Sequence, residues 1–564
     1  MIAIGPEARE FVRVLINYRP DALSYWYSLP LLFLILAGFA IKAPNRSIRI
    51  ARRIQFGARA FLLSPARSMC AAALMPVACG ILFVGFHGFP CPSVHDEFSY
   101  LLAADTFAHG RLANPPSPMW VHFETFHVNQ LPTYSSMYPP GQGLLLFLGT
   151  VIFGHPWFGV WFGVVSLSVA VSWALRAWAP PEWAFFGGLA AATVSSFSYW
   201  MTTYWGGAPA AAGGALLIGA WPRLERKPTA GFALVFALGA IVLANTRMYE
   251  GAVLTLAVTV QLVWSAIRRP IAPARVYLKN AVLPGGIALL LAAAWMMFCF
   301  WRVTGSPTLM PYVLNARTYL YRPLFIWQDN RALPPNYRHE PMRRLYVDEF
   351  RVEPWTLKWM NEQITPTVKH YGTLVLLLPL AALPWLIRKR RVQKLHASTY
   401  IVIGAVLVST FVRPHYLAPA LAGLIGLAIQ ALRYLHAWRP MRRRAGRFAV
   451  RGVLAFWLVM EWKTGFAKLI LGKFSPEWAV ARAEIQHRLE QLPGPKHLIL
   501  VRYDQLHSPH REWVFNGADL FDSRVLWARE MDAERNRILI EHFRDRTIWL
   551  LEPDRDVRLA AYPR

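Results

Sequence analysis

Cysteine is scarce in this chain. Four residues in 564 (Cys70, Cys79, Cys91, Cys299) lie scattered with no Cys-x-x-Cys pair. That spacing argues against a disulfide framework and a zinc knuckle. Charge is scarce too. Only 16% of residues are charged, and acids are the rarer sign, with 32 Asp and Glu against 60 Lys and Arg. A soluble globular domain carries about 25% charge. No internal repeat and no low-complexity tract stands out, and the paired halves common in transporters are missing.

What is abundant is apolar sequence, at 55% of residues. It comes in runs of transmembrane length. The expected spans are 24–42, 68–87, 157–178, 183–201, 208–222, 230–246, 250–267, 281–301, 368–387, 396–412, 416–434 and 448–463. Segment 144–154 is too short to cross and suits an interfacial or re-entrant helix. The net charge of +28 does not mark a nucleic-acid binder, because the basic residues sit in connectors such as 42–53, 223–227, 268–279, 388–394 and 439–447. That is the positive-inside pattern of cytoplasmic loops. Placing those loops inside puts 88–156, 302–367 and the tail after 464 outside, with tight outer turns near 202–207, 247–249 and 413–415. Arg9, Arg13 and Arg19 precede the first span and pull against its placement. No small-residue cleavage site follows that span, so it reads as a membrane segment and not a signal peptide.

The tail is a different material. "HLILVRY" (497–503) and "TIWLLEP" (547–553) read as buried strands, and "MDAERNRILIEHFRD" (531–545) as an amphipathic helix between them. The expected architecture is an all-α polytopic membrane protein of about 12 spans with a small C-terminal α/β domain. Its parts are an N-terminal membrane segment with a basic loop (1–67), a transmembrane catalytic domain (68–463) and an extracytoplasmic domain (464–564).

One stretch, "CPSVHDEFSYLLAADTFA" from Cys91, sets His95, Asp96 and Glu97 where the chain leaves the membrane. A structural explanation makes Ser93 a helix N-cap, with Asp96 at the third position completing a capping box and Glu97 favouring the helix dipole. That leaves their location unexplained, because carboxylates at a membrane boundary are costly and tend to mark function. A second stretch, "TYSSMYPPGQGLLLFLGTVIFG" (133–154), places Tyr138 and Gln142 around a Pro-Pro-Gly entry to the half-length apolar segment.

An outer loop opened by an Asp-Glu pair, followed by a Pro-Pro-Gly entry, resembles the polyprenyl-phosphate-sugar-dependent glycosyltransferases of the GT-C fold. The pattern is similar to the protein O-mannosyltransferase and lipid A aminoarabinose transferase branch, glycosyltransferase families 39 and 83. The resemblance spans about 68–463 in layout and does not cover the tail. It implies that Asp96 is the general base that takes the acceptor proton, with inversion at the sugar. Glu97 then orients the site, or binds a metal or the acceptor. His95, Tyr138 and Gln142 fall among the substrate-binding positions.

Such a reaction requires a cation for the donor phosphate. "ANTRMYEG" (244–251) offers Arg247, with Tyr249 and Glu250 as substrate-binding positions, and "VRPHYLAPAL" (412–421) offers Arg413, with His415 and Tyr416 for the donor phosphate or lipid. Arginine makes forked contacts to phosphate. The second stretch also matches the aromatic "YLLP" entry of the family at Tyr416 to Pro419. The structural alternatives are an ion pair between Arg247 and Glu250, and snorkelling of Arg413. Trp205, in "TTYWGGAP" (202–209), is a sugar-stacking or membrane-belt residue. His122, Glu124 and His127 in "HFETFH" present a divalent-metal candidate, against which a solvated loop is the simpler reading. The long aromatic loop 302–367 reads as an acceptor- or lipid-facing flap.

The expected partners are a polyprenyl-phosphate sugar, the bilayer of a bacterial inner membrane, and a glycan, lipid or protein acceptor. The alternatives are a flippase for a lipid-linked substrate and a ligase using the same carriers.

Overall fold

In a computed structural model, the structure describes residues 61–329, 331–349, 354–372, 389–439 and 445–563. The expected span 24–42 and most of 368–387 lie outside these residues.

The membrane part is a helix bundle. α1 (Pro65–His87), α2 (His95–Ala108), β1 (Val128–Asn129), β2 (Ser135–Ser136), α3 (Pro140–Phe153), α4 (Trp157–Leu175), α5 (Pro181–Ser196), α6 (Gly207–Arg226), α7 (Ala230–Ala244), α8 (Met248–Arg268) and α9 (Ala274–Thr304) follow in order. After α10 (Pro311–Tyr319) come α11 (Arg390–Leu407), α12 (Pro414–Ala437) and α13 (Ala445–Leu471). Five of the described helices, α1, α4, α8, α9 and α12, are long and apolar enough to cross a membrane. The expected span 183–201 is broken: α5 stops at Ser196 and a separate turn, Tyr199–Thr202, follows it. The short 144–154 segment is α3, which begins at Pro140 and ends where Gly154 takes φ 78.

α12 runs through the middle of the bundle, with 89% of its most apolar window buried, whereas α9 stands at the edge with 11% buried. Close approach to α12 demands small residues. A Cβ on Gly214 of α6 would meet the carbonyl oxygen of Pro419 at 2.0 Å.

The tail adds α14 (Glu477–Gln491), β3 (Lys496–Val501), β4 (Val525–Arg529), α15 (Ala533–His542), β5 (Arg546–Glu552) and β6 (Asp556–Ala561). The sheet order is β4-β3-β5-β6. β3 is parallel to β4 and β5, with Leu498 opposite Leu526 and Ile548, and β6 is antiparallel to β5. Strands β3 and β4 are almost wholly buried, as their unbroken apolar runs require.

This sheet packs on the first loop. Leu102, Phe123, Val128 and Tyr134 share one apolar core with Leu498, Leu500, Leu526 and Leu539. The loop after α9 joins the same end of the bundle, where Asn129 Nδ2 donates to the Pro311 carbonyl at 3.2 Å. Described residues of that loop are packed. Tyr319, Met342, Leu345 and Tyr346 bury against Phe126, and burial of its aromatic residues is what orders it.

Candidate active site

α2 starts one residue later than the capping reading expects. Val94 is the N-cap, so Glu97 and not Asp96 occupies the third position. Glu97 Oε2 accepts the backbone N–H groups of Ser93 (2.7 Å) and Val94 (3.0 Å). Its Oε1 accepts that of Tyr204 at 2.9 Å. Glu97 is 1% exposed. Burial pushes its carboxyl up to about 7, against the pull of the three backbone donors.

Asp96 is thereby released from capping and turns into the bundle mouth, with 16% of its side chain exposed. Tyr138 donates its hydroxyl to Asp96 Oδ1. Oδ2 lies 3.7 Å from His127 Nδ1. Burial opposes ionisation of Asp96. The His127 ring, the Tyr138 hydroxyl and the nearby Trp205 indole outweigh it, so the carboxyl ionises below its ordinary range. The Trp205 N–H lies close enough to help hold this charge, yet it is buried without a hydrogen bond of ordinary geometry. Burial keeps His127 and His95 below the usual imidazole range. His95 itself is stacked on Phe126 with ring centroids 4.1 Å apart.

The Pro-Pro-Gly entry has a steric reason. Pro140 opens α3, and the Gly141 N–H donates to the Asn245 carbonyl at 2.8 Å. A Cβ on Gly141 would sit 2.5 Å from that oxygen. Gln142 Nε2 donates to the Tyr204 carbonyl at 2.8 Å, so α3 also holds the 199–206 turn.

The Gly141–Asn245 contact fixes the turn carrying Arg247. The Arg247 guanidinium lies 4.3 Å over the Tyr416 ring. Glu250, Tyr416, Tyr100 and Tyr138 are its electrostatic neighbours. Its guanidinium makes no hydrogen bond and no ion pair within 4 Å with any described residue, so the Arg247–Glu250 pair expected as one alternative is an electrostatic neighbourhood without direct contact. Arg413 differs, because its Nη1 donates to Gln363 Oε1 at 3.1 Å. His415 Nδ1 shares a 2.9 Å hydrogen bond with the Tyr199 hydroxyl, and its ring lies 4.9 Å from that of Trp205.

Asp96, Tyr138, Trp205, Arg247, Glu250, Arg413, His415 and Tyr416 therefore converge. Tyr249 turns elsewhere, to Phe325 (4.8 Å between rings) and the Ala405 carbonyl. The "HFETFH" residues are neither a metal cluster nor a solvated loop. His122 Nδ1 meets the Arg529 carbonyl at 2.9 Å. Glu124 accepts from the Tyr319 hydroxyl at 2.9 Å, with Arg338 and His339 at 3.6 and 3.5 Å. His127 faces Asp96 instead. Among the described residues no group of three or more His, Cys, Asp or Glu is placed to hold a metal.

Sequence reasoning missed Tyr100, stacked 4.4 Å from Tyr138, and Tyr312, delivered by α10 with its ring 6.5 Å from Tyr138. The period of α2 could have found Tyr100, four residues after Asp96 on the same helix face. Nothing local signals Tyr312.

An outer-loop acid helix and a half-length helix over the mouth of a polytopic bundle are the layout of the GT-C fold, and the chain has that fold. It is similar to ArnT from Cupriavidus metallidurans bound to undecaprenyl phosphate, at 12% identity and TM-score 0.50, over 84% of this chain and 87% of that one. Against the same protein in the apo state the figures are 15% identity and TM-score 0.50, over 87% and 94%. The Archaeoglobus fulgidus oligosaccharyltransferase tethered with an acceptor peptide gives 11% identity and TM-score 0.46, over 86% and 68%. No family model matches the chain, and no curated protein matches it by sequence.

Proposed function

We propose that this protein is a membrane glycosyltransferase that moves one sugar from a polyprenyl-phosphate donor to an acceptor hydroxyl, with inversion and with Asp96 as the base. The carrying observation is the meeting, in one tyrosine-walled cluster, of an anionic carboxylate and the Arg247 guanidinium, which has no hydrogen-bond acceptor among the described residues. A half-buried guanidinium with no hydrogen-bond acceptor among the described residues still has its donors to offer, and that fits an anionic ligand. The ArnT structure with undecaprenyl phosphate, which shares this fold, makes a lipid phosphate a fitting anion.

In the reaction the acceptor oxygen attacks the anomeric carbon from the side opposite the phosphate. Its proton passes to Asp96 Oδ2, whose lone pairs are not taken by Tyr138. The bond from the anomeric carbon to the phosphate oxygen breaks, and the leaving polyprenyl phosphate keeps the electron pair. Arg247, and Arg413 further along, stabilise the charge that develops there. No proton donor to the leaving group is needed, because a phosphate leaves as a stable anion. Glu97 serves by holding the start of α2 to the 199–206 turn, and Trp205 and His415 form a wall suited to the sugar ring.

The positive-inside distribution supports a bacterial inner membrane with this face, and the 464–564 domain, outside the cytoplasm. The test is transfer by the purified protein from a panel of polyprenyl-phosphate monosaccharides. Product release with at least one donor, lost in Asp96→Asn, is expected. Failure with every donor, together with no thermal stabilisation by polyprenyl phosphate, would sink the reading.

A further inference from the structure

His127 carries a left-handed backbone, with φ 58 and no glycine to make it easy. Non-glycine residues hold that conformation only where their surroundings over-determine it. Here the His127 carbonyl accepts the Ser99 hydroxyl at 2.7 Å and the Met137 N–H at 3.2 Å. Ser99 lies one turn beyond Asp96 on α2, and Met137 precedes Tyr138. The strained residue is thus tied by its backbone to both elements that carry the acid and its hydroxyl partner, and its ring points back between them. Nδ1 is 3.2 Å from the Tyr138 hydroxyl oxygen and 3.7 Å from Asp96 Oδ2.

Counting donors fixes the direction of the chain. Ionised Asp96 can only accept, so Tyr138 spends its single proton on Oδ1. The Tyr138 oxygen then has only lone pairs left for His127, and the Nδ1 must carry the proton. We infer that His127, Tyr138 and Asp96 form a one-way hydrogen-bond relay, in which His127 is a positioning residue that clamps Oδ1 through Tyr138 and leaves Oδ2 as the reactive oxygen. This is the arrangement of a base oriented by a third group. The relay moves no proton itself, and the acceptor proton stops at Oδ2 before leaving to water. The inference rests on the proposed transferase reading for its use, though not for its geometry.

The titratable groups facing Asp96 are His95, Glu97, Tyr100, His127, Tyr138, Tyr199, Tyr312, Tyr346 and Tyr416. The two histidines have an ordinary pKa near neutrality, and burial brings Glu97 to about 7, so the band assigned to Asp96 is the one lost in Asp96→Asn and not in Glu97→Gln.

His127→Gly separates ring from backbone, since glycine adopts a positive φ without strain. The variant is expected to melt no lower than the wild type. Its kcat is expected to drop roughly 10–100-fold, with donor KM changed less than about twofold, as for a base a little out of place. Added imidazole should restore part of the loss in His127→Gly and none in Asp96→Asn. Tyr138→Phe should lose as much, and the double variant no more than either single one, because the two act as a unit. Independent of turnover, infrared titration of the carboxyl band that disappears in Asp96→Asn should move to higher pH in both single variants. An unmoved band, wild-type kcat in His127→Gly, or losses that multiply in the double variant would overturn the relay. A moved band in a protein that transfers no sugar would uphold the relay and overturn the transferase reading alone.

Discussion

Glu97 and Tyr204, 107 residues apart, are joined by a 2.9 Å hydrogen bond from the Tyr204 N–H to Glu97 Oε1. The other Glu97 oxygen holds Ser93 and Val94. A glutamine here must turn its NH₂ toward at least one backbone N–H. Leaving a buried donor unsatisfied costs about 1–3 kcal/mol. Glu97→Gln is therefore expected to melt several degrees lower in a detergent thermal-unfolding assay and to lose activity with its fold. Asp96→Asn should melt near the wild type while transfer falls roughly 10²–10⁴-fold. The reverse pattern would exchange the roles of the two acids.

The acid limb of the pH–rate profile reports the base. Asp96 has a depressed pKa, so it acts above that value and fails as pH falls through it, below the ordinary carboxylate range. Tyr138 is among the groups holding it down, and its removal raises the pKa. In Tyr138→Phe the limb should move toward neutral pH. A limb that stays in place would separate Tyr138 from the base.

Arg247 and Arg413 differ in what already occupies them. Arg413 already donates to Gln363, and the Arg247 guanidinium has no hydrogen-bond acceptor among the described residues. Polyprenyl phosphate should stabilise the wild type against heat through linkage to binding. Arg247→Ala should abolish most of that stabilisation, Arg247→Lys less, since lysine keeps the charge and loses the fork. Arg413→Ala should lose less than Arg247→Ala. Equal stabilisation of all four proteins would remove both from the donor site.

Gly141→Ala tests the seam between α3 and the Arg247 turn. The added methyl would lie 2.5 Å from a backbone oxygen, which cannot swing aside as a side chain would. A loss of about 1–3 kcal/mol is expected for overpacking. Weaker donor binding should accompany it, read by the same thermal shift.

Topology is checked by labelling single cysteines in a cysteine-free background. A cysteine at Gly110 should react with an impermeant reagent in intact cells, and one at Glu225 should not. Labelling at Glu225 from outside would reverse the proposed orientation.

Much of this layout is legible in sequence because it rests on short-range physics. Apolar runs gave most helices, and "HLILVRY" and "TIWLLEP" gave β3 and β5. The acid pair and the Pro-Pro-Gly entry led to the mouth of the bundle. The break at Ser196 was hidden, because a helix and a following turn of equal hydrophobicity look like one run. β4 escapes sequence reading because "VLWAR" is only five residues, has no clear period and ends on a charged residue. The cap assignment slipped by one residue, which decided whether Asp96 or Glu97 was structural. His127 and Tyr312 reach Asp96 only through tertiary packing, and no local spacing encodes that meeting.

The shared core between the first loop and the tail sheet also has a time axis. Asp105 of α2 binds the N–H of Ala518, 413 residues further on. At about 5–20 residues per second, roughly 20–80 s separate the synthesis of the two. Throughout that interval Leu102 and its neighbours lack the sheet that will cover them. A short apolar helix can rest meanwhile on a membrane surface, which gives α2 a place to wait until the last strands arrive to cover it.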